Sequence, residues 1–261
     1  SLSAFKSVWY SVGMIVLGIE SSCDETACGI VRDGEELLAN AVFSSMDLHV
    51  QYGGVVPEIA ARSHIESINP VIDQALTEAN LDWDDIDAIA VTYGAGLGGS
   101  LLVGVMAART LAIIKNKPLY AINHVEAHVY ANFITRATPK LASSYQLPAA
   151  APTFPCLALI VSGKHSQLVI FKDHFDYKLL GQTQDDAIGE AFDKVAKILG
   201  LPYPGGPSVG KKALEGNDKA FMLPKAKMEN KYDYSFSGLK TAVLRQAQAM
   251  CGKDLTFASK L

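Results

Sequence analysis

Two histidines four residues apart, in the run His124-Val-Glu-Ala-His128, are the sharpest chemical feature of the sequence. On a helix such a pair lies on one face, where two imidazoles can share one metal ion. Glu126 does not directly follow the first histidine, so the run lacks the carboxylate placement of an HExxH metallopeptidase helix. A complete site needs a third ligand from elsewhere in the chain, and a surface pair of histidines is the plainer alternative. The string Glu20-Ser-Ser-Cys-Asp-Glu-Thr26 sets adjacent carboxylates, Asp24 and Glu25, in a polar turn between apolar runs. The N–H groups of such a turn can cradle phosphate, and a carboxylate beside them can hold Mg2+. A solvated acidic hairpin has the same composition.

Four further segments carry weaker signals. Gly94-Ala-Gly-Leu-Gly-Gly99 fits the GxGxxG pattern. It is not the first strand–helix turn, however, and Leu119 stands where a dinucleotide site needs an acid. An anion at the next helix N-terminus and close helix–strand packing explain these glycines equally well. Ile160-Val-Ser-Gly-Lys-His165 could hold phosphate or an acyl-adenylate through backbone N–H groups, or be an ordinary hairpin. Asp193 could accept hydrogen bonds from a ribose, with Gly205 and Gly206 of Tyr203-Pro-Gly-Gly-Pro207 allowing close backbone approach; the alternative is a helix-surface acid before a rigid turn. Residues 219–261 hold eight Lys or Arg against three Asp or Glu, with Tyr232, Tyr234 and Phe236 interleaved. That pattern suits an RNA-facing patch or a solvated basic surface.

The elements that must position these residues follow from periodicity. Met14 to Glu20, Ala27 to Arg32 and Leu37 to Phe43 read as strands, with Asp33-Gly34 a hairpin turn. A helix begins near Pro57, with Pro70 a possible kink. Asp87 to Thr92 reads as a strand, Leu101 to Leu111 as a helix, and Pro118 to Ile122 as a strand. Residues 138–156 are rich in Ala, Ser and Pro and read as a linker. The opening pattern then recurs: strands at Leu157 to Val161, Gln167 to Phe171 and Tyr177 to Gln182, then a helix with Ile188, Phe192, Val195 and Leu199 on one face. The expectation is an internally duplicated α/β protein, with one lobe over residues 14–137 and a second over 157–261.

The 261 residues, 49% hydrophobic and 19% charged, can bury a substantial core. A net charge of -4 excludes nucleic-acid binding by overall charge, so any such contact must be local or supplied by a partner. The four scattered cysteines fit reduced thiols in a cytosol. No apolar run reaches the length of a membrane helix; the longest, Leu101 to Ile114, is short and contains Arg109. Residues 1–13 read as a leader or a non-native extension. Ser259-Lys260-Leu261 spells a peroxisomal address, which is discounted because the chain is expected to stop in mid-domain.

Taken in order, several strings resemble one family. Leu17-Gly-Ile-Glu-Ser-Ser-Cys-Asp-Glu-Thr26 is similar to its opening motif, Tyr52-Gly-Gly-Val-Val-Pro-Glu58 to a second signature and His124-Val-Glu-Ala-His128 to its metal motif. Gly189-Glu-Ala-Phe-Asp-Lys194, Tyr203-Pro-Gly-Gly-Pro207 and Phe236-Ser-Gly-Leu-Lys-Thr241 complete the series. The family is the tRNA N6-adenosine threonylcarbamoyltransferases, formerly called O-sialoglycoprotein endopeptidases or glycoproteases. The resemblance implies a two-lobed actin/sugar-kinase/Hsp70-like (ASKHA) α/β fold with duplicated mixed-sheet domains. It implies transfer of a threonylcarbamoyl group from threonylcarbamoyl-adenylate to N6 of the adenosine beside the tRNA anticodon. A glycoprotein endopeptidase and a non-catalytic scaffold paralogue are the alternatives.

By the same resemblance His124 and His128 are ligands of a divalent iron or zinc ion. Asp24 and Glu25 are an acidic pair near the reacting centre. Ile160, Val161, Ser162, Gly163, Lys164, Asp193, Gly205 and Gly206 are nucleotide-binding positions for an adenylate or ATP-type ligand, with Mg2+ a further candidate. The implied partners are tRNA, a non-catalytic paralogue, a small ATPase and a threonylcarbamoyl-adenylate synthase, in the cytoplasm and away from membranes. The chain departs from the family at Lys164, which replaces a glycine, at Ala95, which replaces a proline, and at its end. The family continues beyond Leu261 with a segment bearing a third metal ligand, so an incomplete metal site is expected.

Overall fold

A computed structural model describes residues 13–252. The leader expected over residues 1–13, apart from Gly13, the peroxisome-like ending and the last part of the basic stretch lie outside the described residues. The chain divides into two compact units, with the boundary in the sequence between Pro152 and Thr153.

The first unit is built on a six-stranded mixed sheet of order β5-β4-β1-β2-β3-β6. Strands β1 (Ile15–Glu20), β2 (Glu25–Arg32) and β3 (Glu36–Ser44) form an antiparallel meander. The turn after β2 uses Asp33 and Gly34, both at positive φ, as the Asp-Gly pair predicts. After the short helix α1 (Met46–His49) and the long helix α2 (Pro57–Ala79), β4 (Ala88–Gly94) pairs parallel with β1. Helix α3 (Gly98–Lys115) then leads into β5 (Leu119–Asn123), parallel to β4. This is an actin-like lobe: a meander, then two parallel strands reached through helices.

Period-two alternation in β1 turns Ile15, Leu17 and Ile19 to one face of the sheet, where all three are buried. Helices α2 and α3 cover that face, adding Ile68, Val71, Ile72, Leu76, Ala108 and Ala112 to one core. Pro70 does not break α2; Pro57 opens the helix and Asn80, in the left-handed region, ends it. Helix α3 is 18 residues long, longer than the apolar run read from the sequence, and by length and composition alone it could cross a membrane. Its Ser100, Gly104, Ala108 and Ala112 face is buried, while Leu102, Met106, Ile113 and Ile114 are exposed.

The stretch expected as a linker is partly ordered. Arg136–Ala137 adds a short strand, β6, parallel to β3. Helix α5 (Pro139–Ala142) buries Leu141, and Tyr145 Oη accepts a 2.8 Å hydrogen bond from Asn40 Nδ2. Between β5 and β6 lies helix α4 (His124–Tyr130).

The second unit repeats the meander in β7 (Cys156–Val161), β8 (Ser166–Asp173) and β9 (Asp176–Gln182), all antiparallel. Helices α6 (Ile188–Ile198), α7 (Gly205–Ala213) and α8 (Ser237–Cys251) follow. The face expected from Ile188, Phe192, Val195 and Leu199 is not the most buried one on α6. Ala191 and Ala196 are buried and Phe192 is 38% exposed. Helix α7 approaches α6 backbone to backbone, since a Cβ on Gly205 would meet the Phe192 carbonyl and Asp193 Cα. Small residues permit that approach where large ones would hold the helices apart.

Gly104 tests the packing of the first unit. A Cβ there would run into the Ser21 hydroxyl, which is itself buried and bonded to the Ser100 carbonyl. Gly104→Ala should therefore destabilise the protein by about 1–3 kcal/mol, against the gain of up to ~1 kcal/mol that alanine brings to a helix interior. Urea titration measures this, and adding Ser21→Ala should recover part of the loss.

Candidate functional site

The carboxyl ends of the three parallel strands, β1, β4 and β5, carry the side chains that converge. Ligands of open α/β sheets sit at such strand ends. Glu20 is the last residue of β1, on the face opposite Ile15, Leu17 and Ile19. Its Oε2 accepts from Thr92 Oγ1 of β4 at 2.6 Å and lies 3.3 Å from Nδ1 of His124, the residue that follows β5. Its Oε1 accepts from the Ser22 N–H at 2.5 Å. Burial alone would raise the Glu20 carboxyl, but hydrogen bonds from His124, Ser22 and Thr92 outweigh it and hold it at about 2.

Helix α4 starts at His124 because Asn123 caps it, its side chain accepting from the N–H groups of Val125 (2.9 Å) and Glu126 (3.4 Å). Within the helix, His128 Nε2 stands 3.1 Å from His124 Nε2, the rings meeting edge to face. Two nitrogens each about 2.1 Å from one ion, at tetrahedral to octahedral angles, lie about 3.0–3.4 Å apart. The pair fits two positions of a metal shell. Its outer partner fits too, since ligating imidazoles ordinarily give their other N–H to a carboxylate. Partial burial first, then the neighbouring His124, lower His128 below its usual range, with Glu20 opposing. That keeps a nitrogen lone pair available near neutral pH. Among the described residues no group of three or more His, Cys, Asp or Glu side chains could hold a metal. Among those residues, then, no third side chain of these types joins the histidine pair in a metal-holding group.

The turn between β1 and β2 sits against the same strand ends. Ser22 Oγ lies 3.1 Å from His124 Nδ1. The carbonyls of the turn point inward: Ser22 C=O accepts from Leu97 N–H at 2.7 Å, Cys23 C=O from His64 Nε2 at 3.1 Å and Ser100 Oγ at 3.3 Å, and Asp24 C=O from Ser45 Oγ at 2.7 Å. Asp24 is half-buried and Glu25 exposed. Partial desolvation of the carboxyl first, then the charges of Asp24 and Glu20, push Glu25 above its usual range even though the residue as a whole is exposed. The glycine loop before α3 packs onto this turn: a Cβ on Gly96 would come within 2.6 Å of the Ser22 carbonyl oxygen. Close packing accounts for that glycine.

In the second unit Ser162 turns the chain between β7 and β8. Its hydroxyl accepts from the N–H groups of Lys164 (3.3 Å) and His165 (3.0 Å). The Ile160 side chain is buried and that of Val161 exposed, so Ile160 can meet a ligand only through its backbone. Lys164 is exposed, and the backbone around Gly163 on its outer side is open. Helix α6 begins against this turn, with Gly189 N–H donating to Ser162 C=O at 3.2 Å. Asp193 Oδ1 accepts from Gly205 N–H at 2.7 Å, tying α6 to the start of α7. Gly205, read as room for a ligand, is filled by helix contact; Gly206 is open.

Sequence reasoning missed the acids that dock α8. Asp185 Oδ1 accepts from Phe236 N–H at 2.9 Å, and Asp186 takes both Lys194 Nζ and Lys240 Nζ at 2.6 Å. The Phe236-to-Thr241 string is thus a helix start held by the loop before α6. Lys240 is paired inside the unit and is not part of a free basic patch. Glu20, His49 and His64 were missed as well. The only sequence signal for Glu20 is a charge on the β1 face opposite the core, and buried histidines look like surface ones in a sequence.

A mixed-sheet lobe with a histidine pair and a carboxylate at its parallel strand ends, joined in sequence to a second lobe with the same meander, defines an α/β protein of the actin type. The family model for tRNA N6-adenosine threonylcarbamoyltransferase matches residues 36–260. Relatives bearing that name include proteins of Thermomicrobium roseum (55% identical over 232 residues, 89% of this chain), Protochlamydia amoebophila (53% over 232, 88%) and Caldicellulosiruptor saccharolyticus (51% over 237, 91%). The chain belongs to this family. It spans 62%, 64% and 66% of the length of those three relatives, respectively.

The Glu20 network sets a pH dependence. Its folded value of about 2 lies below the ordinary 4.5, so the ionised carboxylate adds stability that is complete above 4.5 and is lost as pH falls towards 2. The difference in unfolding free energy between wild type and Glu20→Gln, from urea titrations across pH, should be largest above 4.5 and shrink between 4.5 and 2. A difference constant over that range would show that the carboxylate is not bonded in this way.

Proposed function

We propose that the protein transfers a threonylcarbamoyl group from threonylcarbamoyl-adenylate to N6 of the adenosine beside the tRNA anticodon. The observation that carries this reading is the His124–His128 pair, Nε2 to Nε2 3.1 Å, backed by Glu20 in a chain about half identical to proteins of that name.

His124 and His128 would hold an iron or zinc ion, with the remaining ligands from outside the described residues. Such an ion supplies Lewis-acid polarisation of the carbonyl under attack. Glu20 orients the His124 ring. The mixed anhydride is already activated, so the protein's main task is alignment. N6 of adenosine bonds to the carbonyl carbon, the bond to the adenylate oxygen breaks, AMP leaves, and the amine loses one proton. Glu25, with its raised carboxyl beside Asp24, is suited to receive that proton. The open backbone at Gly163 and Gly206 and the exposed Lys164 are where the adenylate would bind. Lys164 adds a cation for its phosphate, with an ATP-type nucleotide and Mg2+ the related ligands.

A paralogue partner has a surface to meet. Leu102, Met106 and Ile113 lie exposed along α3, and Ile65 is exposed on α2, which packs beside it. A protein with the same lobe brings the same two helices, and two such apolar faces can pair. The small ATPase and the synthase that supplies the adenylate complete the set, working in the cytoplasm.

The test uses the intact protein with tRNA, threonine, bicarbonate, ATP and the partner enzymes, with digested tRNA analysed by mass spectrometry. Threonylcarbamoyladenosine should form with wild type and be lost, together with bound iron or zinc, in the His124→Ala, His128→Ala double variant. Folded protein with active partners and no product would overturn the assignment.

A further inference from the structure

His49 is fully buried and belongs to none of the motifs that carry the candidate site. Its two ring nitrogens have partners that fix its tautomer. The Val56 backbone N–H, which can only donate, points at His49 Nδ1 from 3.2 Å. The neutral ring must then carry its proton on Nε2, which lies 3.1 Å from Ser45 Oγ. The Ser45 hydroxyl is left to donate its own proton to the Asp24 carbonyl, at 2.7 Å, beside a 3.0 Å bond from the Ser45 N–H to the same oxygen. Each donor in this chain has one acceptor and no direction can be reversed: Val56 N–H to His49, His49 to Ser45, Ser45 to Asp24. It begins one residue before α2 and ends on the peptide that joins Asp24 to Glu25. The preceding carbonyl, that of Cys23, is held independently by His64 of α2.

We propose that His49 is a positioning residue for the reaction, holding the Asp24–Glu25 peptide through Ser45 and linking the Gly53-Gly54-Val55-Val56 segment to the acidic turn. The proposal rests on the reading in which Asp24 and Glu25 stand near the reacting centre. Amide substitutions can separate positioning from mere core filling. Asn at position 49 can place an acceptor where Nδ1 stands but cannot reach Ser45. Gln can place an N–H where Nε2 stands and keeps the bond to Ser45.

The experiment combines NMR with kinetics on the intact protein. Long-range 1H–15N spectra should show His49 as the Nε2–H tautomer, and the Nδ1–H tautomer would overturn the relay. The Asp24 carbonyl 13C shift should move most in Ser45→Ala, which removes the donor, move in the same direction by less in His49→Asn, and stay near wild type in His49→Gln. In the tRNA assay, Ser45→Ala and His49→Asn should lower kcat by about 10- to 100-fold at unchanged KM, as a misplacement near 1 Å does, with His49→Gln close to wild type. Asn and Gln variants equal in kcat and in the Asp24 shift would sink the proposal, whatever their Tm. If the wild type forms no product, the functional reading falls and the tautomer and Asp24 shifts decide the relay by themselves.

Discussion

Three consecutive carbonyls, those of Ser22, Cys23 and Asp24, are turned into the first unit, and the arrangement of the site depends on where their donors come from. A buried carbonyl needs a hydrogen-bond donor. Here the donors arrive from the loop before α3, from α2, from α3 itself and from the end of β3. Four segments distant in sequence are therefore fixed to one turn. Inward carbonyls leave the Asp24 and Glu25 side chains toward the surface and bring Ser22 to His124. Gly96 and Gly104 belong to the same constraint, since each abuts this turn where a Cβ would collide.

The Glu20 carboxylate does for side chains what those donors do for the backbone. It ties the ends of β1, β4 and β5 together through the Ser22 N–H, the Thr92 hydroxyl and the His124 ring. A carboxylate with three partners tolerates burial that would otherwise favour its neutral form. The imidazole it holds has one nitrogen committed to the carboxylate side, so the other faces His128. Ring orientation, and with it the ability to share an ion, follows from a residue outside the histidine motif.

Carboxylates serve a different purpose in the second unit. Asp185, Asp186 and Asp193 receive the first N–H groups of helices, or lysines from neighbouring ones, and so dock α7 and α8 on the loop before α6 and on α6 itself. Unpaired N–H groups at a helix start favour negative partners. Two strings that resemble family motifs, Tyr203 to Pro207 and Phe236 to Thr241, owe much of their composition to this docking. Gly163, in the turn at Ser162 to Lys164, and Gly206 instead keep open space beside their backbone.

Periodicity was enough to read the two meanders, the helices at Pro57 and before β5, the duplication and the helical histidine pair from sequence. Each of these is set by local spacing: alternation along a strand, three- and four-residue steps along a helix, an Asp-Gly turn. It was not enough for the ordered part of residues 136–145, where Arg136–Ala137 pairs with the edge of β3 and Tyr145 accepts from Asn40. Nor could it separate ligand space from packing at the glycines, because what a Cβ would strike lies on another segment. Glu20, His49, His64, Asp185 and Asp186 drew no attention for the same reason: a polar residue's role is set by the partners that surround it once buried. The sequence by itself determined which elements form and which residues of the histidine motif share a face. Only the tertiary structure decided which polar groups meet, since hydrogen bonds between distant segments are satisfied by position in space and leave no periodic trace in the chain.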